Sequence, residues 1–103
     1  MKRTSSYDDE LMEALKNPEE AAEYLNAALA DPNQEVFLLA LRDVIAARGG
    51  ISKLAGSAAL NRVSLYRTLS KRGNPELRTL NRMLVELGLS LSVKPQDSIR
   101  SSV

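Results

Sequence analysis

The sequence predicts a mainly α-helical fold of five or six helices that ends in one short strand. Apolar residues recur at spacings of three and four along most of the chain, which is the period of an amphipathic helix. Asn-Pro, Asp-Pro and Gly-Gly pairs separate these stretches, and the period becomes an alternation only near residue 89. A chain of 103 residues has the size of one compact domain. We therefore expect residues 1–103 to form a single domain, with a mobile N terminus at 1–6.

Residues 7–48 are predicted to form three leading helices with acidic surfaces. The first covers 7–15, and the second starts at "NPEE", where Asn17 can cap the helix and Pro18 suits its first turn. The third runs from about 34 to 48 and ends at the Gly-Gly pair. The side chains expected to face the core are Tyr7, Leu11, Met12, Leu15, Ala21, Tyr24, Leu25, Ala28, Leu29, Phe37, Leu38, Leu41, Val44 and Ile45.

Two short helices joined by a tight bend are predicted between Ile51 and Ser70. Ala55 is a small residue where the two helices can cross, and "GSAALN" supplies small residues for a bend. The apolar residues that would lock the helices together are Leu54, Leu60, Leu65 and Leu69. This is the pattern of a helix-turn-helix, which we assign to the region 49–88. A plain helical hairpin in a small bundle is the alternative interpretation.

The last part of the chain is predicted to hold one more helix and a strand. "KRGNPE" repeats the earlier start signal, and the helix should run to Leu87 and stop at Gly88. Its inward side chains are Leu77, Leu80, Met83, Leu84 and Leu87. "LSLSV" then alternates apolar and polar residues, which predicts a strand over 89–94. We expect residues 95–103 to be disordered.

A single strand in a helical chain leaves its hydrogen-bonding edge unpaired. It can pair with its own copy across a two-fold axis, which would give a homodimer, or with a strand of another protein. The alternative is a short extended tail with no partner. The residues assigned to a dimer strand are Leu89, Leu91 and Val93.

Charge is divided unevenly along the chain. Residues 1–43 hold ten acidic and four basic residues, a net charge of −6, whereas residues 44–103 hold ten basic and three acidic residues, a net charge of +7. Such a division indicates a basic part that meets a polyanion and an acidic part that meets a different partner. Ordinary solvated helix faces are the alternative explanation.

The second short helix, about 62–70, has the composition of a DNA-reading helix. It carries two arginines and no acidic residue, and its N-terminal end is the one that enters the major groove in such motifs. Arginine can read guanine, asparagine can read adenine, and valine can touch the thymine methyl group. The residues assigned to base contacts are Asn61, Arg62, Val63, Tyr66 and Arg67. Those assigned to phosphate contacts are Ser52, Lys53, Ser70, Lys71, Arg72 and Arg78.

The composition argues against an enzyme. The chain has no His and no Cys, which removes the commonest general base and any thiolate metal site. It also lacks a glycine-rich phosphate loop, so we expect no catalytic site, no metal and no cofactor. Neither a secretory signal nor a run of about 18 apolar residues is present, and we therefore expect a cytoplasmic protein without a membrane segment.

From about Tyr7 to Val93 the chain resembles the antidote proteins of chromosomal toxin–antitoxin modules, of the Cro/phage-repressor-like helix-turn-helix type. The most specific stretches are "NRVSLYRTLS", "GNPELRTLNRML" and "ELGL", and "AAEYLNAALADPNQEVFLLALRDVIAARGG" is similar to the family's leading region. The resemblance implies a lambda-repressor-like fold. It also implies a dimeric, sequence-specific DNA-binding antitoxin that neutralises a small RelE/ParE-like toxin by direct binding and represses its own operon.

One position departs from the family pattern. The bend between the two short helices commonly holds Gly where this chain has Ala59. A left-handed conformation costs a residue with a Cβ about 1 kcal/mol. Either Ala59 takes that conformation, or the bend is remodelled around Gly56. The outcome determines how Arg62 and Arg67 are aimed.

A helical protein-binding adaptor without DNA binding is the alternative function. Its working surfaces would be the acidic helix at 18–30 and the strand at 89–94. DNA binding through several phosphates weakens steeply with salt, and this dependence separates the two functions.

Overall fold

A computed structural model of the chain describes residues 5–96 and consists of helices and connecting loops. The six helices are α1 (Ser5–Ala14), α2 (Pro18–Leu29), α3 (Gln34–Ala47), α4 (Ile51–Ala58), α5 (Arg62–Thr68) and α6 (Leu77–Glu86). The predicted mainly α-helical fold of five or six helices is confirmed. No helix in this described part is long and apolar enough to cross a membrane. Residues 1–4 of the predicted mobile N terminus and 97–103 of the predicted disordered tail lie outside the described residues.

Asparagine side chains start three of the helices. Asn17 precedes α2, and its Oδ1 accepts the backbone N–H groups two and three residues further on, at 2.8 and 3.2 Å. Asn33 and Asn61 accept one N–H each at the starts of α3 and α5, at 3.0 and 2.8 Å. These bonds satisfy donors that have no partner inside the helix. The predicted capping role of Asn17 is therefore present.

The start of α6 differs from the sequence prediction. The sequence predicts that Asn74, Pro75 and Glu76 open this helix as "NPEE" opens α2. In the structure Glu76 is the N-cap residue, and its side chain makes no capping bond. The Oδ1 of Asn74 instead accepts a hydrogen bond from Gln34 Nε2 at 3.4 Å. Asn74 thus ties the loop before α6 to the first turn of α3.

One apolar core joins the helices. α2 packs on α3, α1 also contacts α3, and α4 packs against both α5 and α6. The fully buried larger side chains are Leu15, Leu38, Leu41, Val44, Ile45, Leu65, Leu69 and Met83. All of them were expected to be inward from the helical periodicity. No polar or charged residue among those described is buried, so the core is held by apolar packing.

Three side chains expected in the core are exposed. Tyr7 lies in the first turn of α1, Leu29 is the last residue of α2, and Leu77 is the first residue of α6. The apolar period is correct at these positions, but a terminal turn can extend past the neighbouring helix that would cover it. The spacing of apolar residues does not indicate how far the neighbouring helix extends along the terminal turn.

The C-terminal segment 89–96 carries no assigned strand in this single chain. Leu89 packs against the core, Leu91 is exposed, and Val93 is fully exposed at 100%. A strand is defined by hydrogen bonds to a neighbouring strand, and the other described residues are helices and loops. The strand over 89–94 therefore stays a prediction that depends on a second chain.

Candidate nucleic-acid interface

The bend between α4 and α5 contains a left-handed alanine. Ala59 has φ 56° and ψ 47°, and it is the one non-glycine residue with positive φ among those described. The N–H of Leu60 donates to the carbonyl of Ala55 at 2.9 Å, and the N–H of Ala59 donates to that of Gly56 at 3.3 Å. These two bonds form a Schellman motif, which usually has glycine at the left-handed position. Gly56 remains within α4, so the bend is not remodelled around it.

Packing fixes which face of α5 points outward. Leu65 on α5 and Leu69 just after it are buried, as are Leu54 and Ala55 on α4. Leu60 in the bend is half-buried and packs on the same core. The predicted apolar contacts between the two short helices are therefore present. Because Leu65 holds one side of α5 inward, the side chains on the opposite side face solvent.

All five residues assigned to base contacts are exposed on or just before α5. Val63 keeps 65% of its accessible surface and Tyr66 keeps 52%, although both have apolar bodies. Asn61, Arg62 and Arg67 are also exposed. Among residues 5–96 no carboxylate is within ion-pairing distance of the two arginines. The structure thus brings the assigned residues together on one short helix.

Arg62 and Tyr66 contact each other across one turn of α5. The guanidinium carbon of Arg62 lies 5.7 Å from the centroid of the Tyr66 ring, a cation–π distance. Residues four apart share one face of a helix, so the contact follows from their spacing. It restricts the arginine side chain to a direction along the exposed face.

Asn61 has a structural role besides its assignment to base contacts. Its Oδ1 accepts the backbone N–H of Ser64 at 2.8 Å and so caps α5. The amide Nδ2 keeps its two donors, and the oxygen keeps one lone pair. Asn61 is therefore better placed to donate a hydrogen bond than to form the two-bond contact with adenine.

The six residues assigned to phosphate contacts are all exposed. Ser52 and Lys53 lie in the first turn of α4, Arg78 lies on α6, and the others follow α5. Ser70 Oγ donates to the carbonyl of Arg67 at 2.7 Å, which leaves the hydroxyl oxygen free to accept. Four of the six carry a positive charge and none has an ion-pair partner among the described residues.

The loop after α5 turns back tightly on that helix. The N–H of Gly73 donates to the carbonyl of Ser70 at 2.8 Å. A Cβ atom at Gly73 would lie 1.7 Å from the backbone oxygen of Thr68, so no other residue fits without a backbone shift. Gly73 thus allows the loop to pass close to the end of α5 before it reaches the start of α6.

Two arginines that the sequence reasoning counted only as charges make specific contacts around α5. Arg42, on α3, donates through Nη1 to the carbonyl of Leu69. Arg82, on α6, donates through Nη2 to the carbonyls of Ala58 at 2.7 Å and Ala59 at 3.2 Å. The free carbonyls expected at the C-terminal ends of helices were the one sequence signal for such contacts.

The acidic part of the chain presents a separate surface. The exposed carboxylates of α1 and α2 are Asp9, Glu10, Glu13, Glu19, Glu20 and Glu23. Glu13 pairs with Lys16 at 3.1 Å, which is a solvent-exposed pair and contributes little stability. The exposed acidic side chains of α1 and α2 and the exposed basic side chains of α4 to α6 thus lie on different helices.

These features define a small, mainly helical protein with one basic helix exposed after a tight bend and acidic side chains exposed on α1 and α2. The chain belongs to the family described as "Probable addiction module antidote protein", whose family model matches residues 4–95. An uncharacterized protein of Haemophilus influenzae is 37% identical over 87 residues, which cover 84% of this chain and 89% of that protein. No solved structure matches the chain. Its family is therefore that of the antidotes, or antitoxins, of addiction modules.

Proposed function

We propose that the protein is a sequence-specific DNA-binding antitoxin that represses its own operon and neutralises a RelE/ParE-like toxin by direct binding. The observation that carries DNA binding is the exposed face of α5. It presents two arginines that have no ion-pair partner among residues 5–96, beside two exposed apolar side chains and directly after a tight bend. In this proposal α4 and α5 form a helix-turn-helix of the lambda-repressor type, and α5 is the recognition helix.

The N-terminal end of α5 enters the major groove in this proposal. Arg62 and Arg67 read guanine edges, and Val63 contacts a thymine methyl group. Asn61 donates from its free amide group, and Tyr66 supports Arg62 through the ring contact described above. The stacked arginine loses less side-chain freedom on binding than an unrestrained one, which favours affinity.

Phosphate contacts come from both sides of the recognition helix. Ser52 and Lys53 at the start of α4 approach one strand with backbone N–H groups of that helix end nearby. Ser70, Lys71, Arg72 and Arg78 approach through the loop after α5 and the first turn of α6. Such contacts set the register of the protein on the duplex but do not select its sequence.

A homodimer places two recognition helices on one operator. We assign its interface to the strand at 89–94, where Leu91 and Val93 are exposed and backbone groups are available for pairing. Two-fold pairing would present two copies of α5 to half-sites about 34 Å apart, one turn of the duplex. The operator is then a short inverted repeat.

The toxin partner meets the acidic surface in this proposal. Among the toxins that the resemblance implies, those of the RelE-like type tend to be basic because their substrate is RNA. Exposed carboxylates such as Glu19, Glu20 and Glu23 would steer a basic partner and cover its RNA-binding surface. Membership of the antidote family supports a toxin partner, and the charge division supports this side of the molecule.

Operator binding tests the DNA-binding part of the proposal. Arg62→Ala and Arg67→Ala should each weaken binding to the protein's own upstream DNA by about 1–3 kcal/mol, because each removes a base contact. Fluorescence anisotropy at matched salt measures the loss. Lys16→Ala is the matched control, since Lys16 is exposed and pairs with Glu13 on the acidic side. Unchanged operator affinity in the double arginine variant would overturn the assigned face.

The adaptor without DNA binding stays the second candidate because of one groove. A groove of about 350 Å³ lies between α2 and the segment after α6, with Leu25, Phe37 and Leu84 among its lining residues. An apolar groove of this kind can take a peptide or helix of a partner. Absence of duplex binding at low salt would favour the adaptor.

A further inference from the structure

We infer that Arg82 is a positioning residue that sets the aim of α5 by fixing the left-handed bend before it. The inference rests on the proposed role of α5 in reading DNA. Arg82 lies on α6, yet its Nη2 reaches the carbonyls of Ala58 and Ala59, the last residue of α4 and the bend residue. It therefore holds the backbone at the point where the chain changes direction towards Arg62.

The carbonyls that Arg82 binds have no partner within the bend. The two backbone hydrogen bonds of the Schellman motif use the carbonyls of Ala55 and Gly56. The carbonyls of Ala58 and Ala59 are left without an intrahelical donor, as at any helix C terminus. Arg82 satisfies both with one guanidinium nitrogen, at 2.7 and 3.2 Å. Its positive charge also suits the negative end of α4.

The same motif at the end of α6 provides an internal comparison. There the N–H of Leu89 donates to the carbonyl of Leu84 at 2.8 Å, and Gly88 has φ 79°. The left-handed residue is glycine, so no Cβ opposes the conformation. Within the described residues no side chain donates to the carbonyls of Leu87 or Gly88. The added side-chain contact occurs at the bend whose left-handed residue is an alanine.

The far end of α5 is held in a similar way. Arg42 on α3 donates to the carbonyl of Leu69, the C-cap residue of α5. α5 has seven residues, and a helix of two turns has little stability of its own. Its direction is set by the burial of Leu65 and Leu69 and by what holds its two ends. Arg82 holds the bend before α5, Asn61 caps its first turn, and Arg42 holds its C-cap residue.

The Arg82→Lys variant separates the positioning of α5 from an effect of charge on DNA binding. Lysine keeps the positive charge near any phosphate but cannot reproduce the planar guanidinium geometry at two carbonyls. If Arg82 served as a phosphate contact, Arg82→Lys would leave operator binding nearly unchanged. If it positions α5, Arg82→Lys loses base contacts while keeping the phosphate contribution.

The experiment uses the full chain with Arg82→Lys, Ala59→Gly and the double variant. Lys16→Arg is the control, because it makes a similar change between ammonium and guanidinium at an exposed residue of the acidic side, where Lys16 pairs with Glu13 at 3.1 Å. Anisotropy with the operator and with a scrambled duplex, at the same salt, gives both affinities. In parallel, amide hydrogen exchange of the DNA-free proteins reports on Leu60, whose N–H closes the bend.

Arg82→Lys should weaken operator binding by about tenfold, while binding to the scrambled duplex changes by less than about twofold. The Leu60 amide should exchange faster in that variant. Ala59→Gly should recover at least about threefold of the lost operator affinity, because glycine keeps the bend without help. Lys16→Arg should match the wild type in all measurements.

Equal loss on both duplexes in Arg82→Lys would overturn the inference, because a change in the aim of α5 should weaken the base contacts made only with the operator. Unchanged affinities with unchanged Leu60 exchange would also overturn it, while leaving the proposed function intact. If the wild type binds no duplex, the proposed function fails. The exchange of Leu60 in Arg82→Lys, with and without Ala59→Gly, then still decides whether Arg82 fixes the bend.

Discussion

At position 59 the left-handed backbone conformation costs less free energy for glycine than for alanine, which is the reverse of their order in a helix interior. In a helix interior alanine is favoured because glycine loses more backbone freedom on folding. At φ 56° the Cβ of alanine crowds the following carbonyl, which costs about 1–2 kcal/mol. The bend of this protein therefore contains a local strain that its packing and the contact from Arg82 compensate.

Ala59→Gly should raise the free energy of unfolding by up to about 1 kcal/mol, because relieved strain exceeds the added freedom of the unfolded chain. Ala27→Gly is the matched control, since Ala27 is exposed within α2, and it should lower the same quantity by about 1 kcal/mol. Urea denaturation measures both. Equal losses in the two variants would contradict a strained bend.

At the scale of single elements, the helices follow from local signals that are readable in the sequence. Apolar periodicity places most of the core side chains of α2 to α6, and asparagine caps start α2, α3 and α5. The contacts that position α5 could not be predicted in this way. Arg42 binds a carbonyl 27 residues away, and Arg82 binds one 24 residues away. Such pairs depend on how helices pack, which periodicity does not specify.

The two Asn-Pro-Glu segments also show that a local sequence signal does not determine the tertiary contacts of a helix start. Both are equally good start signals in the sequence, but only Asn17 caps its helix. Asn74 lies in the loop that connects α5 to α6. Gln34 donates hydrogen bonds to this loop, at the carbonyl of Gly73 and at Asn74 Oδ1, so Asn74 does not cap α6. At Asn74, the tertiary contacts with Gln34 therefore outweigh the helix-start signal in the local sequence.

Capping gives a prediction that distinguishes these two segments. Asn17→Ala should lower the free energy of unfolding by about 1 kcal/mol, because two backbone donors of α2 lose their acceptor. Asn74→Ala should cost less than about 0.5 kcal/mol, since it removes one long, exposed hydrogen bond. Thermal unfolding of both variants tests this, and a larger loss for Asn74→Ala would show that it caps α6.

At the scale of the whole molecule, the assignment of the dimer interface depends on the segment after α6. Leu89 packs on the core, whereas Leu91 and Val93 are exposed beyond it. The start of the segment is thus packed on the core, whereas the residues after Leu89 are exposed and could pair with another strand. An edge of this kind pairs readily with a second copy.

Ser92→Pro should convert the proposed dimer to monomers, because proline removes one backbone donor and would disrupt a strand paired over 89–94. Leu89 and the helical core are untouched by this change, so folding should be retained. Sedimentation velocity measures the size, and Ser92→Ala is the control that keeps the backbone donor. If Ser92→Pro sediments as a dimer, the interface lies on the helices.

The contact between Arg62 and Tyr66 has a practical consequence for spectroscopy. The chain has no tryptophan and three tyrosines, so its ultraviolet emission comes from tyrosine alone. Tyr24 is fixed by a 2.7 Å hydrogen bond to Asp43, and Tyr7 lies on α1, whereas Tyr66 is on the face proposed to meet the duplex. Quenching on addition of DNA, lost in Tyr66→Phe, would follow binding at α5 without any attached dye. The protein thus carries an intrinsic optical reporter at the residue where its function is proposed.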